Sequence, residues 1–236
     1  MTTTETAEHK ADHRALAERA AAEFADAGAD EVLRWAAATF GDDLIVASNM
    51  QDAVLIDVAA KIKPDVDVLF LETGYHFAET IGTRDAVAAQ YPEITIVNAE
   101  AEQSVAEQEA QFGVLNRTDP DKCCFLRKVL PLQNTLARYD AWVTGVRRVD
   151  APTRANTPLV QWDDRNGLVK INPIAAWTDE EFRAYIDDHG ILENPLVHEG
   201  YLSIGCAPCT QRVAPGDDPR SGRWAGQGKT ECGLHA

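Results

Sequence analysis

No apolar run in the 236 residues approaches the roughly 18 that a membrane-spanning helix needs, which excludes a spanning segment. The opening stretch, MTTTETAEHKADHRALAERAAAEF, has acidic side chains early and no apolar centre, unlike a secretory signal. A cytoplasmic location is therefore expected, and with it reduced thiols rather than structural disulfides. Cations are scarce, with 22 Lys+Arg against 38 Asp+Glu for a net charge of −16. That balance excludes a general nucleic-acid binder, whose phosphate contacts need basic clusters. Internal repeats and low-complexity blocks are absent, and a mean hydropathy of −0.28 with 45% hydrophobic residues is ordinary globular material.

The few cations are placed unevenly. Residues 1–116 hold 7 Lys+Arg against 22 Asp+Glu, whereas residues 117–236 hold 15 against 16. Arg127, Lys128, Arg147, Arg148, Arg154, Arg220 and Arg223 fall in the same half as all five cysteines. Two readings compete, a solvated surface of mixed charge and a local anion site inside an acidic protein. The histidines His9, His13, His76, His189 and His198 read as lacking metal-ligand spacing, and the five tryptophans read as core or rim residues.

Periodicity gives the fold class. Residues 8–25 and 29–39 read as amphipathic helices. Short apolar runs at 42–48, 65–73, 93–98 and 141–145 read as strands, separated by helical patterns at 51–62, 76–91, 101–112 and 123–139, the last with Pro131 as a kink or start. Residues 159–162 and 167–174 suggest further, partly antiparallel strands, and 179–190 a helix stopped by Gly190. Alternation of this kind predicts an α/β protein, a mostly parallel twisted sheet with helices on both faces. Ligands then bind beyond the carboxyl ends of the strands, so the candidate loops are 48–52, 72–75 and 144–148. Beyond residue 190 regular pattern fades, and APGDDPRSGRWAGQGKTECGLHA reads as an extended, mobile tail. The expected division is N-terminal helices at 1–40 packing on the main domain, a catalytic domain at 41–215 and a flexible tail at 216–236. An oligomer contact through the first two helices stays open, and with it a homo-oligomer.

The cysteines form two pairs, Cys123-Cys124 and Cys206-Ala207-Pro208-Cys209, with Cys232 left over. A disulfide between sequence neighbours is strained. Zinc suits Cys206-x-x-Cys209 but not an adjacent pair. Four thiolates suit a [4Fe–4S] cluster, where neighbouring sulfurs can reach different irons. Two buried thiols that happen to be adjacent, plus a redox-type CxxC, remain the bland alternative. Cys232, in a glycine-containing segment with basic residues nearby, is a candidate nucleophile, with an accidental surface thiol as the other reading.

Taken in order, CCFLRKVLPL, WVTGVRRVDAPTRA, GYLSIGCAPCT, DPRSGRW and TECGLHA closely resemble the assimilatory adenylyl-sulfate reductases of the wider APS/PAPS reductase family. The resemblance covers about residues 40–236 and implies an adenine-nucleotide α-hydrolase-like fold. It implies a [4Fe–4S] cluster on Cys123, Cys124, Cys206 and Cys209, with Cys232 as the catalytic nucleophile. The implied reaction reduces adenosine 5′-phosphosulfate (APS) with thioredoxin, giving sulfite and AMP through an S-sulfocysteine. The resemblance also places Lys128 between cluster and substrate, Arg147, Arg220 and Arg223 on the anion, and His235 in the catalytic tail. Adenosine is expected over Ser48, Asn49 and Met50 and the turn from Leu71 to Gly74, with Gly145 close to the base. The alternative within the family is the 3′-phosphorylated substrate, PAPS.

Two departures stand out. Related nucleotide α-hydrolases use a glycine-rich loop for pyrophosphate, and this chain has SNMQDA, which suits an enzyme that does not cleave ATP. The second strand ends LETG where the family commonly has LDTG, so Glu72 is one methylene longer. An ATP-using tRNA thiolation enzyme of related fold would want that loop and a basic surface. A non-enzymatic metal scaffold would need no reactive Cys232.

Overall fold

Apolar side chains two residues apart decide which way each strand faces, and the sheet follows from them. The computed structural model describes residues 3–226, 229, 233 and 234, with side chains from residue 9 onward. The strands are β1 (Leu44–Ala47), β2 (Asp67–Glu72), β3 (Thr95–Glu100), β4 (Ala141–Val143), β5 (Val160–Asp163) and β6 (Leu168–Ile171). They form one sheet in the order β3-β2-β1-β4-β6-β5, parallel throughout except where β5 runs against β6. The mostly parallel sheet expected from the sequence is therefore present, with the antiparallel strand at one edge.

The helices are α1 (Thr3–Glu23), α2 (Ala29–Phe40), α3 (Val54–Ala60), α4 (Ala78–Gln90), α5 (Val105–Phe112), α6 (Leu115–Thr118), α7 (Pro120–Cys124), α8 (Leu130–Leu136) and α9 (Asp179–His189). They lie on both faces. Leu44, Val46, Val68, Phe70, Val143, Val169 and Ile171 point into a large core with α1, α2, α3 and α9. Ile45, Leu69, Trp142 and Leu168 point the other way, against Leu132 and Leu136 of α8. Burying each such side chain is worth roughly 1.5–3 kcal/mol.

Local signals set the helix ends. In α2, Val32, Leu33, Ala36 and Phe40 make one buried stripe, and Asp30 and Glu31 favour its positive amino end. Thr178 and Glu181 form a capping box at the start of α9, and Gly190 closes it in the left-handed conformation, as expected. None of the described helices is long and apolar enough to cross a membrane.

Two differences from the sequence reading bear on function. The helix expected at 123–139 is interrupted between α7 and α8 by a π turn, Phe125–Val129, in which the Leu130 N–H donates to the Phe125 carbonyl. Pro131 has no N–H to give to a helical carbonyl, so the regular ladder is already broken nearby. The reading of the histidines also needs correction. His9 and His13 stand four residues apart on α1, one turn on one face, and both reach Asp140.

The chain leaves β1 for β2 and β3, then returns to place β4 on the other side of β1. The order therefore reverses between β1 and β4. In a parallel sheet that is where a crevice opens beyond the carboxyl ends.

Candidate functional site

A cleft of about 870 Å³ opens at this reversal point. Its walls come from the loops after β1, β2 and β4, the π turn, and residues 202–205 and 218–223. Of the residues singled out from the sequence, Ser48, Asn49, Leu71, Gly145, Lys128, Arg147, Arg220 and Arg223 all line it.

Met50 and Gly74 do not line the cleft; they hold its edges. Met50 is fully buried in the large core and adopts φ 58°, a left-handed conformation unusual for a side chain of its size. Its N–H donates to Ser48 Oγ at 3.1 Å, and its carbonyl accepts from Asn194 Nδ2 at 3.3 Å. The side chain thus pegs the loop that presents Ser48 and Asn49. Gly74 has φ 72°, and a Cβ there would stand 2.7 Å from Val105 Cγ2 and 3.1 Å from Arg127 Nη2. Only glycine gives both the turn and the space. Glu72 accepts the Gly74 N–H at 2.9 Å and pairs with Arg84 at 3.5 Å, so its longer side chain braces its own turn.

The cations divide by surroundings. Arg127 is buried: its Nε donates to the Thr73 carbonyl, and its Nη1 to Gln103 O at 3.1 Å and to Gln108 Oε1 at 3.2 Å. It ties the end of β2 to the π turn and does not reach the cleft. Arg147 lies on Phe182 at 4.4 Å and shares its charge with Asp150 at 3.0 Å and Asp179 at 2.9 Å. Arg148 and Arg154, grouped with the basic residues in the sequence, also line the cleft. Arg223 runs across Gly205, where a Cβ would come within 2.4 Å of its guanidinium. We therefore expect Gly205→Ala to push the end of Arg223 aside. The clash is with a flexible tip, so the melting temperature should move by no more than a few degrees. The KM for an anionic nucleotide should rise about tenfold, on the order of the 1.4 kcal/mol that one charged contact carries. Steady-state kinetics on the variant checks this.

Gly145 differs from Gly205. A Cβ on Gly145 would meet only Leu55 Cδ2, at 3.7 Å, so no protein atom requires glycine there. The space beside it belongs to the cleft.

His76 and Asp52 also line the cleft, and the sequence reading gave neither a role. His76 Nε2 lies 2.8 Å from the Leu71 carbonyl and 3.2 Å from the Thr73 N–H, so the ring is held against the end of β2. Its buried Nδ1 has no partner among the described residues. Burial, with Lys128 and Arg84 nearby, holds the ring below its ordinary pKa and hence neutral at pH 7.

Asp52 accepts the Val54 N–H at 3.1 Å, and burial raises its carboxyl from 3.8 to about 6, helped by Glu193 and Asp150. A folded pKa above the unfolded one means that Asp52's contribution is fully present below about pH 4 and is lost as pH rises through about 6. We expect Asp52→Asn, which keeps the acceptor, to be neutral at pH 4 and to stabilise the protein by about 1–2 kcal/mol at pH 7.5. Denaturant melts at the two pH values test this.

Beside the cleft is a small cavity walled by Cys123, Cys124, Cys206 and Cys209 with Tyr75, Asn116 and Trp224. All four thiols are free, and all but Cys209 are buried. Sequence places the pairs on different elements, Cys123 and Cys124 on α7 and Cys206 and Cys209 on a single 3₁₀ turn, Ala207–Cys209, with its approach. The Cys206 sulfur lies 3.3 Å from Thr73 Oγ1. Burial and the neighbouring thiols push Cys123 up to about 12, and burial raises Cys209 as well. Four free thiols lining one cavity are a donor set that suits a centre of several irons.

Lys128 lines both spaces, the cleft and the cysteine cavity. The segment read as the start of a tail folds back here. Thr210 bridges Arg223, and Trp224, buried at φ 50°, donates its N–H to the Cys209 carbonyl at 3.0 Å. Cys232 and His235 lie outside the described residues. Leu234 is described, and it lines the cleft and packs on the smaller core, while the Gly233 carbonyl accepts from Arg165.

Comparison with known proteins bears on this arrangement. The phosphoadenosine phosphosulfate reductase domain family matches residues 44–212. An adenosine 5′-phosphosulfate reductase of Mycolicibacterium smegmatis is 66% identical over 223 residues, 94% of each chain. The crystal structure of a phosphoadenylyl-sulfate reductase from Candida auris, in a phosphate complex, superposes with a TM-score of 0.70 at 30% identity, over 84% of this chain and 96% of that one. Yeast FAD synthetase, at 12% identity, TM-score 0.54 and coverage of 90% and 77%, shares the fold alone. This chain belongs to the phosphoadenosine phosphosulfate reductase domain family, among its adenosine 5′-phosphosulfate reductases.

Proposed function

We propose that the protein reduces adenosine 5′-phosphosulfate to sulfite and AMP in sulfate assimilation, in the cytoplasm, with thioredoxin as reductant. The observation that carries this reading is Lys128, which stands on the wall common to a cation-lined cleft and a four-cysteine cavity.

Adenosine lies along the Ser48–Asn49 edge and Leu71, and its base uses the space beside Gly145. The sulfate end lies toward Lys128, Arg220 and Arg223. Arg147, already shared by two carboxylates, contributes orientation more than net charge. Sulfate oxygens repel an approaching thiolate, so cations must neutralise them before sulfur can be attacked. The Cys232 thiolate then forms an S–S bond to the sulfate sulfur as the S–O bond to AMP breaks. AMP leaves as a weakly basic phosphate and needs no strong general acid. His235, two residues from the end, assists in the same tail. A thioredoxin thiolate next displaces sulfite, and its second thiol closes the thioredoxin disulfide, so two electrons pass from thiols to the sulfo group. The residues after Trp224 must carry Cys232 first to the nucleotide and then to thioredoxin.

Cys123, Cys124, Cys206 and Cys209 would hold a [4Fe–4S] cluster, because four thiols around one cavity suit a centre with several irons. When bound, such a cluster would place net negative charge beside Lys128 and would form a rigid tie between two distant segments. Arg127, bonded to Thr73, fixes the same wall from the protein side.

The similarity to a Candida auris enzyme acting on PAPS supports a second reading, the same chemistry on the 3′-phosphorylated substrate. The deciding experiment measures iron, sulfide and thioredoxin-dependent sulfite release from APS and from PAPS. We expect iron and sulfide near four per chain and kcat/KM at least a hundredfold higher on APS. Equal or greater turnover of PAPS would replace the first reading with the second. No sulfite from either would end both.

A further inference from the structure

A second cluster of ligating side chains lies at the opposite end of the sheet. His9 and His13 project from one face of α1, with ring centroids 4.1 Å apart. Asp140 sits in the turn just before β4, at the amino ends of the strands, away from the cleft. One oxygen, Asp140 Oδ1, is 2.9 Å from His9 Nε2 and 3.8 Å from His13 Nδ1. The three donor atoms all lie within 4.8 Å of one another.

The surroundings favour a cation. The Asp140 N–H donates to the Asp43 carbonyl at 2.9 Å, which fixes the carboxylate's backbone. Asp12 and Asp43 add negative charge around His13, whose ring stands edge-on to Phe40 at 5.6 Å. Two imidazoles this close would repel each other if both were protonated. A single carboxylate oxygen facing two ring nitrogens is better used when both nitrogens give lone pairs to one ion. Bonds of about 2.0–2.2 Å around a tetrahedral ion place ligand atoms about 3.3 Å apart, within the spread seen here. Two imidazoles and a carboxylate suit zinc, nickel or copper, and not calcium or magnesium, which take oxygen ligands.

We propose that His9, His13 and Asp140 bind one divalent transition-metal ion, which fastens the N-terminal helix to the amino end of the sheet. Ala17, Ala20 and Phe24 already anchor the far half of α1 in the core, and Arg14 pairs with Asp164. In the near half, before residue 14, His9 and His13 both contact Asp140, so an ion there would settle it.

The test uses the untagged full-length protein as purified, with its cysteine site loaded, dialysed against zinc buffered at low micromolar free concentration. The wild type is expected to hold one zinc per chain more than His9→Gln/His13→Gln. Asp140→Asn should weaken that zinc at least tenfold. The single change His9→Gln, at the most exposed of the three positions, guards against misfolding and should also weaken it tenfold or more. Zinc should slow tryptic cleavage after Arg14 at least threefold in the wild type only. Any zinc taken by the cysteines is common to all four proteins and cancels. Equal zinc content and affinity in wild type and His9→Gln would overturn the proposal, as would protection of Arg14 that is unchanged in Asp140→Asn.

Discussion

Cys232→Ser is expected to abolish sulfite release while leaving nucleotide binding intact. Serine has the same shape as cysteine, but its hydroxyl is scarcely ionised near neutral pH, and the attack on sulfur needs an anion. Removal of a covalent nucleophile typically costs at least about a thousandfold in turnover. The residues proposed to bind the nucleotide are elsewhere, on the cleft-lining loops after β1, β2 and β4 and on Arg220 and Arg223, so AMP affinity should stay within about twofold. Calorimetric binding of AMP beside a sulfite assay makes the comparison. Deleting the last six residues should reproduce the loss of turnover. It would also remove Leu234, which lines the cleft, so a modest loss of affinity is expected in that case alone. Retention of a tenth of normal turnover by the serine variant would rule out the covalent step.

The second large effect concerns the cysteine cavity. Cys123→Ser should lose iron and activity together, with turnover down by about two to three orders of magnitude. The argument runs through Lys128. Its backbone lies in the π turn that begins directly after Cys124, and its side chain reaches both spaces. With nothing to tie the thiols, α7 and the 206–209 turn are no longer coupled, and Lys128 loses its fixed aim at the sulfate. Misplacing a charged group by about an ångström is enough to cost a hundredfold. Cys206→Ser should behave alike, because Cys206 is also bonded to Thr73, the residue whose carbonyl holds Arg127. A variant with no iron and full turnover would show that the wall is built by Arg127 and Trp224 alone.

Much of this could be read from the chain because it depends on local pattern. The aliphatic runs at 44–47 and 67–72 announced parallel strands, and the site loops followed from where those strands end. The cysteine pairs and the cations after them carried their meaning in their order. What stayed hidden was set by contacts across the sequence. Asp140 is 131 residues from His9, so no spacing rule could join them. Arg127 and Lys128 are neighbours of similar chemistry, yet one is buried against Gln108 and the other lines the cleft. Met50 stood beside Ser48 and Asn49 in a candidate loop, but its left-handed backbone turns the side chain into the core. Glu72 stands where the family commonly has aspartate, and its carboxylate is engaged by Gly74 and Arg84 rather than lining the cleft.

The five residues Phe125–Val129 wind one position wider than a regular helix. Each residue turns a helix by about 100°, so the surplus one acts as a phase shifter along a continuous rod. Upstream of it the rod shows sulfur to the cavity, and downstream it shows Leu132 and Leu136 to the sheet. Deleting one residue would restore a better-bonded ladder, yet it would rotate either the thiols or the leucines away from their targets. Side-chain substitutions cannot undo a rotation, so the length of this stretch is as fixed a feature of the protein as any residue in it.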